Sequence, residues 1–433
     1  MRKTSLAKVL KIAIIGTILV TSGFAAEQAK ERTLDEIKTE AVHRAENGMY
    51  PLIGLDPADV KEAFASIHTA DKDEWAAGFM GVAGRYMAEA KKLEESKDPA
   101  DLAKADADYI RAWRLYSFGR WPVPASPGKK QAYAKAIEAF LAHAKYFDPP
   151  LELVHIPFEG KTITGYLRLP KNASGPVPLV LAINGLDSRK EDLTQNFSGI
   201  LAFGVGYLAV DGPGTGQAPI QVSETADRML SRVIDYIEAR PEVDKSRIAV
   251  HGVSWGAYWA TKLSIVEHAR LRAVTAQSPA IHEFFQREFI EGKLVGNREY
   301  LFDQIPALMS VYDGITTLDQ LTAFAPKMSL KAQGLLGKPT TPMLVIGGTL
   351  DTQVPISEAY LLLDSGDVPK EAWINPKGGH LGRQVKVWPD PVIFKQVIIP
   401  WLLKALDVHS PEVHAAEVRN SADAPATKVT GHE

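Results

Sequence analysis

Arg247-Ile248-Ala249-Val250-His251-Gly252-Val253-Ser254-Trp255-Gly256-Ala257 sets a G-x-S-x-G pentapeptide between a β-branched run and a helical stretch. A serine at a sharp strand-to-helix turn is pushed out of the chain, where its hydroxyl can be reached. Such a turn is tight, and Gly252 and Gly256 let neighbouring backbone approach without a Cβ in the way. The N-terminus of the following helix favours the negative charge that develops when a serine oxygen attacks a carbonyl. The pentapeptide alone is common by chance. Its context, strand before and helix after, makes Ser254 a candidate nucleophile.

A serine hydroxyl is a poor nucleophile until a base takes its proton, so an acid and a histidine are sought downstream at later strand ends. The apolar run 343–346 leads through Gly347, Gly348, Thr349 and Leu350 into Asp351, with Val354-Pro355 just after. Gly378-Gly379-His380 follows the last predicted strand, 29 residues on. Ser254, Asp351 and His380 thus stand in the chain order expected for an α/β-hydrolase. Two N–H donors must also meet the oxyanion. One is the backbone amide of Trp255, and the other, by position, is that of Leu186 in Ala182-Ile183-Asn184-Gly185-Leu186-Asp187, the loop after the third strand. Asn184 either holds this loop or touches substrate.

Outward from the elbow, 151–158 and 162–169 read as a hairpin around Glu159-Gly160-Lys161, and 177–183, 206–210, 273–276, 343–346 and 371–375 join 247–251 as strand signals. Helical stretches such as 222–239 separate several of them. Buried strands alternating with helices predict a mainly parallel sheet of about eight strands, covered on both faces. Residues 26–150 differ in texture, rich in Ala, Glu, Lys and Leu at helical spacing, and predict an N-terminal cap of roughly four to six helices. Within it Tyr109, Ala112, Trp113 and Tyr116 make one aromatic face, which either packs on the neighbouring domain or walls a substrate pocket. Pro122, Pro124 and Pro127 break the pattern before a last helix over 129–147. The core is expected over 151–407, interrupted at about 278–338 by an aromatic insertion with Phe284, Phe285, Phe289, Tyr300, Phe302 and Tyr312. That insertion is too long for one crossover helix and reads as a lid over the C-terminal edge of the sheet. Residues 408–433 lack periodicity and are expected to form a flexible tail.

Composition narrows the chemistry. The 433-residue chain has no Cys, which excludes disulfides, thiolate metal sites and a cysteine nucleophile. Its 49 Lys and Arg against 52 Asp and Glu leave no electrostatic footprint for nucleic acid. Eleven scattered His form no H-E-x-x-H pair, so no catalytic metal is expected. At the start, Arg2, Lys3, Lys8 and Lys11 precede the nine-residue run 12–20, and Ser22, Gly23, Ala25 and Ala26 follow. A membrane span needs roughly 20 apolar residues, so this order reads as a signal peptide over 1–25, with an uncleaved anchor as the alternative. Its removal takes four basic residues and moves the formal charge from -3 to -7. The expectation is a periplasmic or secreted protein without a stable membrane anchor, acting on a small molecule and compatible with a homodimer.

Gly185-Leu186-Asp187-Ser188-Arg189-Lys190-Glu191-Asp192, then Asp211-Gly212-Pro213-Gly214-Thr215-Gly216, then the Ser254 elbow together resemble the α/β-hydrolase family of the fermentation-respiration switch protein and 2,6-dihydroxypseudooxynicotine hydrolase. The aromatic helix with Arg111 and Tyr116 also resembles that family's N-terminal helical cap, so the likeness covers roughly 106–406. The resemblance implies no metal or organic cofactor and a substrate taken in between cap and core. It further implies esterase-like activity or hydrolysis of a carbon–carbon bond beside a ketone. Carried over by position, it implies Ser254 as nucleophile, Asp351 as orienting acid, His380 as base, and Leu186 and Trp255 as backbone donors. The carbon–carbon hydrolases of the family use a further acidic residue after the sixth strand, where this chain offers Glu283 and Glu288. Asn184 stands where Gly or His is more usual, and a secretory leader is atypical.

Other features read as structural. His251, inside a predicted strand, is a core histidine, Asp211 braces the loop beside the site, and His282 either contacts substrate or lies at the surface. The glycine-rich 212–216 segment lacks both G-x-G-x-x-G spacing and a Walker lysine, which argues against phosphate binding. The sequence therefore predicts an exported serine hydrolase cleaving an ester of a partly apolar, acyl or aromatic substrate through an acyl-enzyme on Ser254. Candidate substrate contacts are Asn184, Trp113, Tyr116, Glu283 and Glu288. Competing readings are carbon–carbon hydrolysis, acyl or peptidyl hydrolysis, and a non-catalytic binding protein on a hydrolase scaffold.

Overall fold

The computed structural model describes residues 32–302 and 304–408. The predicted leader and residues 409–433 of the predicted tail lie outside the described residues.

Helices α1 (Leu34–Glu46), α2 (Pro57–Ala65), α3 (Lys72–Ser96), α4 (Pro99–Arg120) and α5 (Pro127–Ala144) precede the sheet. Each starts at a side-chain cap. Thr33 and Glu36 form a capping box, and Asp56, Asp71, Asp98 and Ser126 accept first-turn amides. Pro57, Pro99 and Pro127 sit where the first helical N–H would be orphaned anyway, which is why three of the helices start there. The layer is held by edge-on rings, with Phe118 4.8 Å from Phe79 and 5.3 Å from Trp75. The aromatic face of α4 packs within this layer. The Tyr109 hydroxyl bonds Glu94, the Trp113 ring lies 5.2 Å from Phe140 of α5, and Tyr116 is buried.

Strands β1 (Glu152–Phe158) and β2 (Lys161–Arg168) pair as an antiparallel hairpin. Its loop residues Glu159 and Gly160 have φ of 47° and 72°, the two-residue turn whose twist matches that of paired strands. Strands β3 (Val177–Ile183), β4 (Gly206–Val210), β5 (Val243–Val253), β6 (Ala273–Gln277), β7 (Met343–Gly348) and β8 (Lys370–Asn375) complete an 8-stranded sheet in the order β1-β2-β4-β3-β5-β6-β7-β8. Strands β3 to β8 are parallel, and β2 runs antiparallel to β4. β3, β4, β6 and β7 are buried at every residue, as strands of a sheet covered on both faces must be. The expected α/β sheet is therefore the one found.

Alternation along β3 divides the core. Leu179, Leu181 and Ile183 join the cluster that holds α7 (Asp227–Glu238) and α8 (Trp255–Val266). Val180 and Ala182 join the one under α6 (Lys190–Phe197) and the helix Ile399–Ala405. The segment predicted as helix over 222–239 becomes α7 only from Asp227, because the Val222 amide is bonded to the Val311 carbonyl at 3.0 Å. That carbonyl lies in the insertion between β6 and β7. The insertion folds as short helical pieces and brings Phe284, Phe285 and Tyr312 around the Trp255 ring, each with centroids within 6.3 Å of it.

Candidate active site

β5 ends at Val253 and α8 begins at Trp255, so Ser254 alone makes the turn, at φ 52° and ψ -113°. This is a strained region for an L residue. The flanking glycines are obligatory on steric grounds. A Cβ on Gly252 would lie 2.1 Å from the Gly256 carbonyl oxygen, and one on Gly256 would lie 2.3 Å from that of Ile183. The Ser254 amide is tied to the Gln277 carbonyl at 2.8 Å, which anchors the turn to the end of β6.

Asp351 follows β7 and His380 follows β8, both at the C-terminal edge of the sheet. The structure joins them to the elbow in one hydrogen-bonded chain. His380 Nε2 lies 2.9 Å from Ser254 Oγ, and His380 Nδ1 lies 2.9 Å from Asp351 Oδ2. Asp351 Oδ1 accepts the amides of Gln353 and Val354 at 2.9 and 2.8 Å, and its Oδ2 accepts the Ser278 hydroxyl at 3.0 Å. The carboxylate is thus fixed from both oxygens, an arrangement that favours the imidazole proton on Nδ1 and leaves Nε2 facing the serine hydroxyl. Burial works against an imidazolium here, but the Asp351 charge and hydrogen bond outweigh it, and His380 is held above its ordinary value.

The loop after β3 lies against the elbow, since a Cβ on Gly185 would sit 3.5 Å from Ser254 Cβ. Asn184, fully buried, holds this loop. Its Nδ2 donates to the Gly185 and Ser188 carbonyls at 2.8 and 2.7 Å, and its Oδ1 accepts the Gly212 amide at 2.7 Å. Arg189 Nη1 donates to the Leu186 carbonyl at 3.1 Å. The amides of Leu186 and Trp255 have no protein acceptor among the described residues. Beneath the loop, the buried Lys190 ammonium pairs with Asp211 and Glu191 at 2.9 and 3.0 Å, and Asp211 also accepts the Lys190 and Gln217 amides. Asp211 is therefore a brace.

A cavity of about 190 Å³ lies between the helical layer and the sheet edge, lined by Tyr50, Trp113 and Arg114 on one side and Asp192, Val253 and Leu381 on the other. Trp113 reaches it, whereas the buried Tyr116 lies among the helices. Glu283 and Glu288 are exposed, and Glu283 is bonded to Ser357, so neither is brought into the Ser254 cluster. A different acid of the insertion comes close. Glu299 Oε1 lies 3.8 Å from where a Gly379 Cβ would be, its Oε2 accepts the Thr352 hydroxyl at 2.7 Å, and its charge acts on His380. Nothing in the local sequence marks Glu299. Ser278 had a signal, its position directly after an apolar strand, as for Ser254. His251 is buried between Phe197 and Phe394 with Nδ1 2.7 Å from Thr275 Oγ1, and burial pushes it down to about 3, so it stays neutral. His282 is half-buried, with Nδ1 2.8 Å from Ser329 Oγ. No cluster of three or more His, Asp or Glu fit to hold a metal occurs among the described residues, and no described helix is long and apolar enough to cross a membrane.

This strand order and this edge of the sheet define an α/β-hydrolase, and the enzyme is a hydrolase of the esterase type. The chain belongs to the FrsA-like esterase family, whose model, described as Esterase FrsA-like, matches residues 20–377. The resemblance read from the motifs is borne out. The chain is 26% identical over 360 residues to Esterase FrsA of Pectobacterium atrosepticum, covering 78% of this chain and 84% of that protein. It is 26% identical to Esterase FrsA of Yersinia pestis (strain Pestoides F), covering 73% and 79%. Among solved structures, 2,6-dihydroxy-pseudo-oxynicotine hydrolase superposes with a TM-score of 0.65 at 19% identity, covering 82% of this chain and 93% of that one. AbyA5 superposes with a TM-score of 0.67 at 16% identity, covering 90% and 99%. At these identities the two structures speak to the fold.

Proposed function

We propose that this protein is an exported serine esterase in which Ser254 is the nucleophile, His380 the base and Asp351 the residue that orients it. The observation that carries this reading is the unbroken chain Ser254 Oγ, His380 Nε2, His380 Nδ1, Asp351 Oδ2, with both links at 2.9 Å. The serine proton moves to Nε2 as Oγ attacks the ester carbonyl. The tetrahedral oxyanion is received by the Leu186 and Trp255 amides, the alcohol leaves with the proton from Nε2, and water resolves the acyl-enzyme by the same route reversed. The cavity at Val253 and Leu381, the chain neighbours of Ser254 and His380, is lined by Trp113 and Phe118, which supports an ester with an apolar or aromatic portion. The basic, apolar and small residues of 2–26 support export.

A second reading, hydrolysis of a carbon–carbon bond beside a ketone, is favoured by Glu299, a further carboxylate beside the His380 loop. Aryl esters, vinylogous 1,5-diketones and short peptides, assayed side by side with fluorophosphonate labelling, separate these. Ester turnover with an adduct on Ser254 supports the first reading. Diketone cleavage without ester turnover supports the second, and a folded protein that takes no adduct on Ser254 overturns both. N-terminal sequencing of the mature protein tests export, with a start at Ala26 or Glu27 expected.

A further inference from the structure

Asp187 follows the predicted oxyanion donor Leu186 and is 9% exposed. Among the described residues no guanidinium or ammonium is hydrogen-bonded to its carboxylate, although the Arg383 charge acts on it; its bonded donor is neutral and comes from outside the hydrolase core. Trp121, at the end of α4, donates its indole N–H to Asp187 Oδ2 at 2.9 Å. Tyr50, between α1 and α2, and Tyr300, in the insertion, are phenols that lie close enough to feel the same carboxylate. Burial first, and then Asp187, hold both phenols well above their ordinary value, so they remain donors. The Trp121 and Tyr300 rings are 5.2 Å apart, which seats the insertion against the Trp121 donor. Arg120 of α4 adds a bond to the Asp187 carbonyl. The other carbonyls of this loop, those of Gly185, Leu186 and Ser188, are held by Asn184 and Arg189 from the loop itself.

The division matters because a buried carboxylate without donors is costly, so the position of Asp187 depends on the helical layer that supplies Trp121 and on the insertion ring packed beside that donor. The direction of a loop amide follows the backbone angles of its neighbours, and a misplacement of about 1 Å at a catalytic group costs roughly 10²-fold in rate. We propose that Asp187 is a positioning residue through which the helical cap and the insertion together set the Leu186 amide for the oxyanion. The hole is then complete only when both layers are closed on the core. This rests on the serine esterase reading, in which Leu186 is a donor.

The test uses the full-length enzyme, with kcat counted per fluorophosphonate-titrated site on an aryl ester and with affinity for a trifluoromethyl ketone, whose hemiketal oxyanion needs the same hole. Asp187→Ala is expected to lower kcat about 100-fold with KM changed less than about threefold, and to weaken the ketone in parallel. Asp187→Asn keeps a carbonyl oxygen for the Trp121 indole and is expected to recover about tenfold of that loss. Tyr300→Phe, which removes one oxygen and leaves the ring packing, is expected to lower kcat a few-fold with KM unmoved. Asp187→Ala turnover within about twofold of wild type, or a loss confined to KM with ketone affinity unchanged, overturns the coupling alone. A wild-type enzyme that takes no adduct on Ser254 overturns the esterase reading and this proposal with it.

Discussion

The Ser278 hydroxyl donates to Asp351 Oδ2 at 3.0 Å, the oxygen that also faces His380 Nδ1, and its own oxygen accepts the Leu381 amide at 2.9 Å. One side chain thus ties the acid loop after β7 to the histidine loop after β8. Ser278→Ala removes both bonds and leaves the Leu381 amide unpaired, so a loss of about 1–2 kcal/mol in stability is expected. A kcat about tenfold lower with KM unchanged should accompany it, because a looser acid orients the imidazole less well. Urea unfolding and steady-state kinetics measure the two effects separately.

The backbone of Ser254, at φ 52° and ψ -113°, is one that glycine adopts without strain. Ser254→Ala keeps the strain and is expected to abolish turnover and labelling while leaving stability within about 1 kcal/mol of wild type. Ser254→Gly should be equally inactive but more stable than Ser254→Ala by about 1 kcal/mol. Thermal unfolding of the two variants decides it, and equal stabilities would show that the turn carries no strain.

In the proposed mechanism His380 acts as a base only when neutral, and the structure holds it above its ordinary value of 6.5. The acid limb of kcat/KM is therefore expected above pH 6.5, with activity falling as pH drops through it. In Asp351→Asn the effect of burial is no longer offset, so the limb moves to lower pH while kcat falls by about 10⁴-fold. The linked stability has the opposite sense. The His380 contribution is complete below pH 6.5 and is lost as pH rises through the folded value. A pH–rate profile of wild type and variant checks both shifts.

Glu358 is almost fully buried, and burial pushes it up to about 7 despite the amides of His282 and Phe284 that it accepts. Its folded value lies above its unfolded one, so its contribution is complete below pH 4.5 and is lost as pH rises through 7. At roughly 1.4 kcal/mol per unit, the stability difference between wild type and Glu358→Gln should change on the order of 3 kcal/mol across that window. Urea unfolding at the two pH limits measures it, and a difference that does not vary with pH would show that Glu358 titrates normally.

Lys190 pairs with Asp211 and Glu191 where all three side chains are out of water. Lys190→Met strands two carboxylates beneath the loop after β3, so a loss of about 3–5 kcal/mol is expected. Chemical denaturation quantifies it, and a change under about 1 kcal/mol would show that water reaches the cluster.

The sheet and the positions of Ser254, Asp351 and His380 are legible along the chain, because both are written in local pattern. A strand shows as a short β-branched run, and each of these three residues sits just past such a run among glycines that the chain needs at its turns. Asn184 shows where locality stops. Its place before Gly185 was readable, but only the fold gives the Gly212 amide that makes it a brace. Likewise the sequence offered Glu283 and Glu288 by their distance after β6, whereas the tertiary structure turns both to the surface and brings Glu299 to the histidine loop. It does so because the Glu299 carbonyl is held by Arg44, 255 residues away, and its carboxylate by Thr352. Asp187 meets Trp121 of the helical layer with Tyr300 of the insertion packed beside it, and no periodicity encodes their meeting. Backbone conformation follows from near neighbours in the chain. Which side chains meet depends on how separately formed layers pack, and only the tertiary structure decides that.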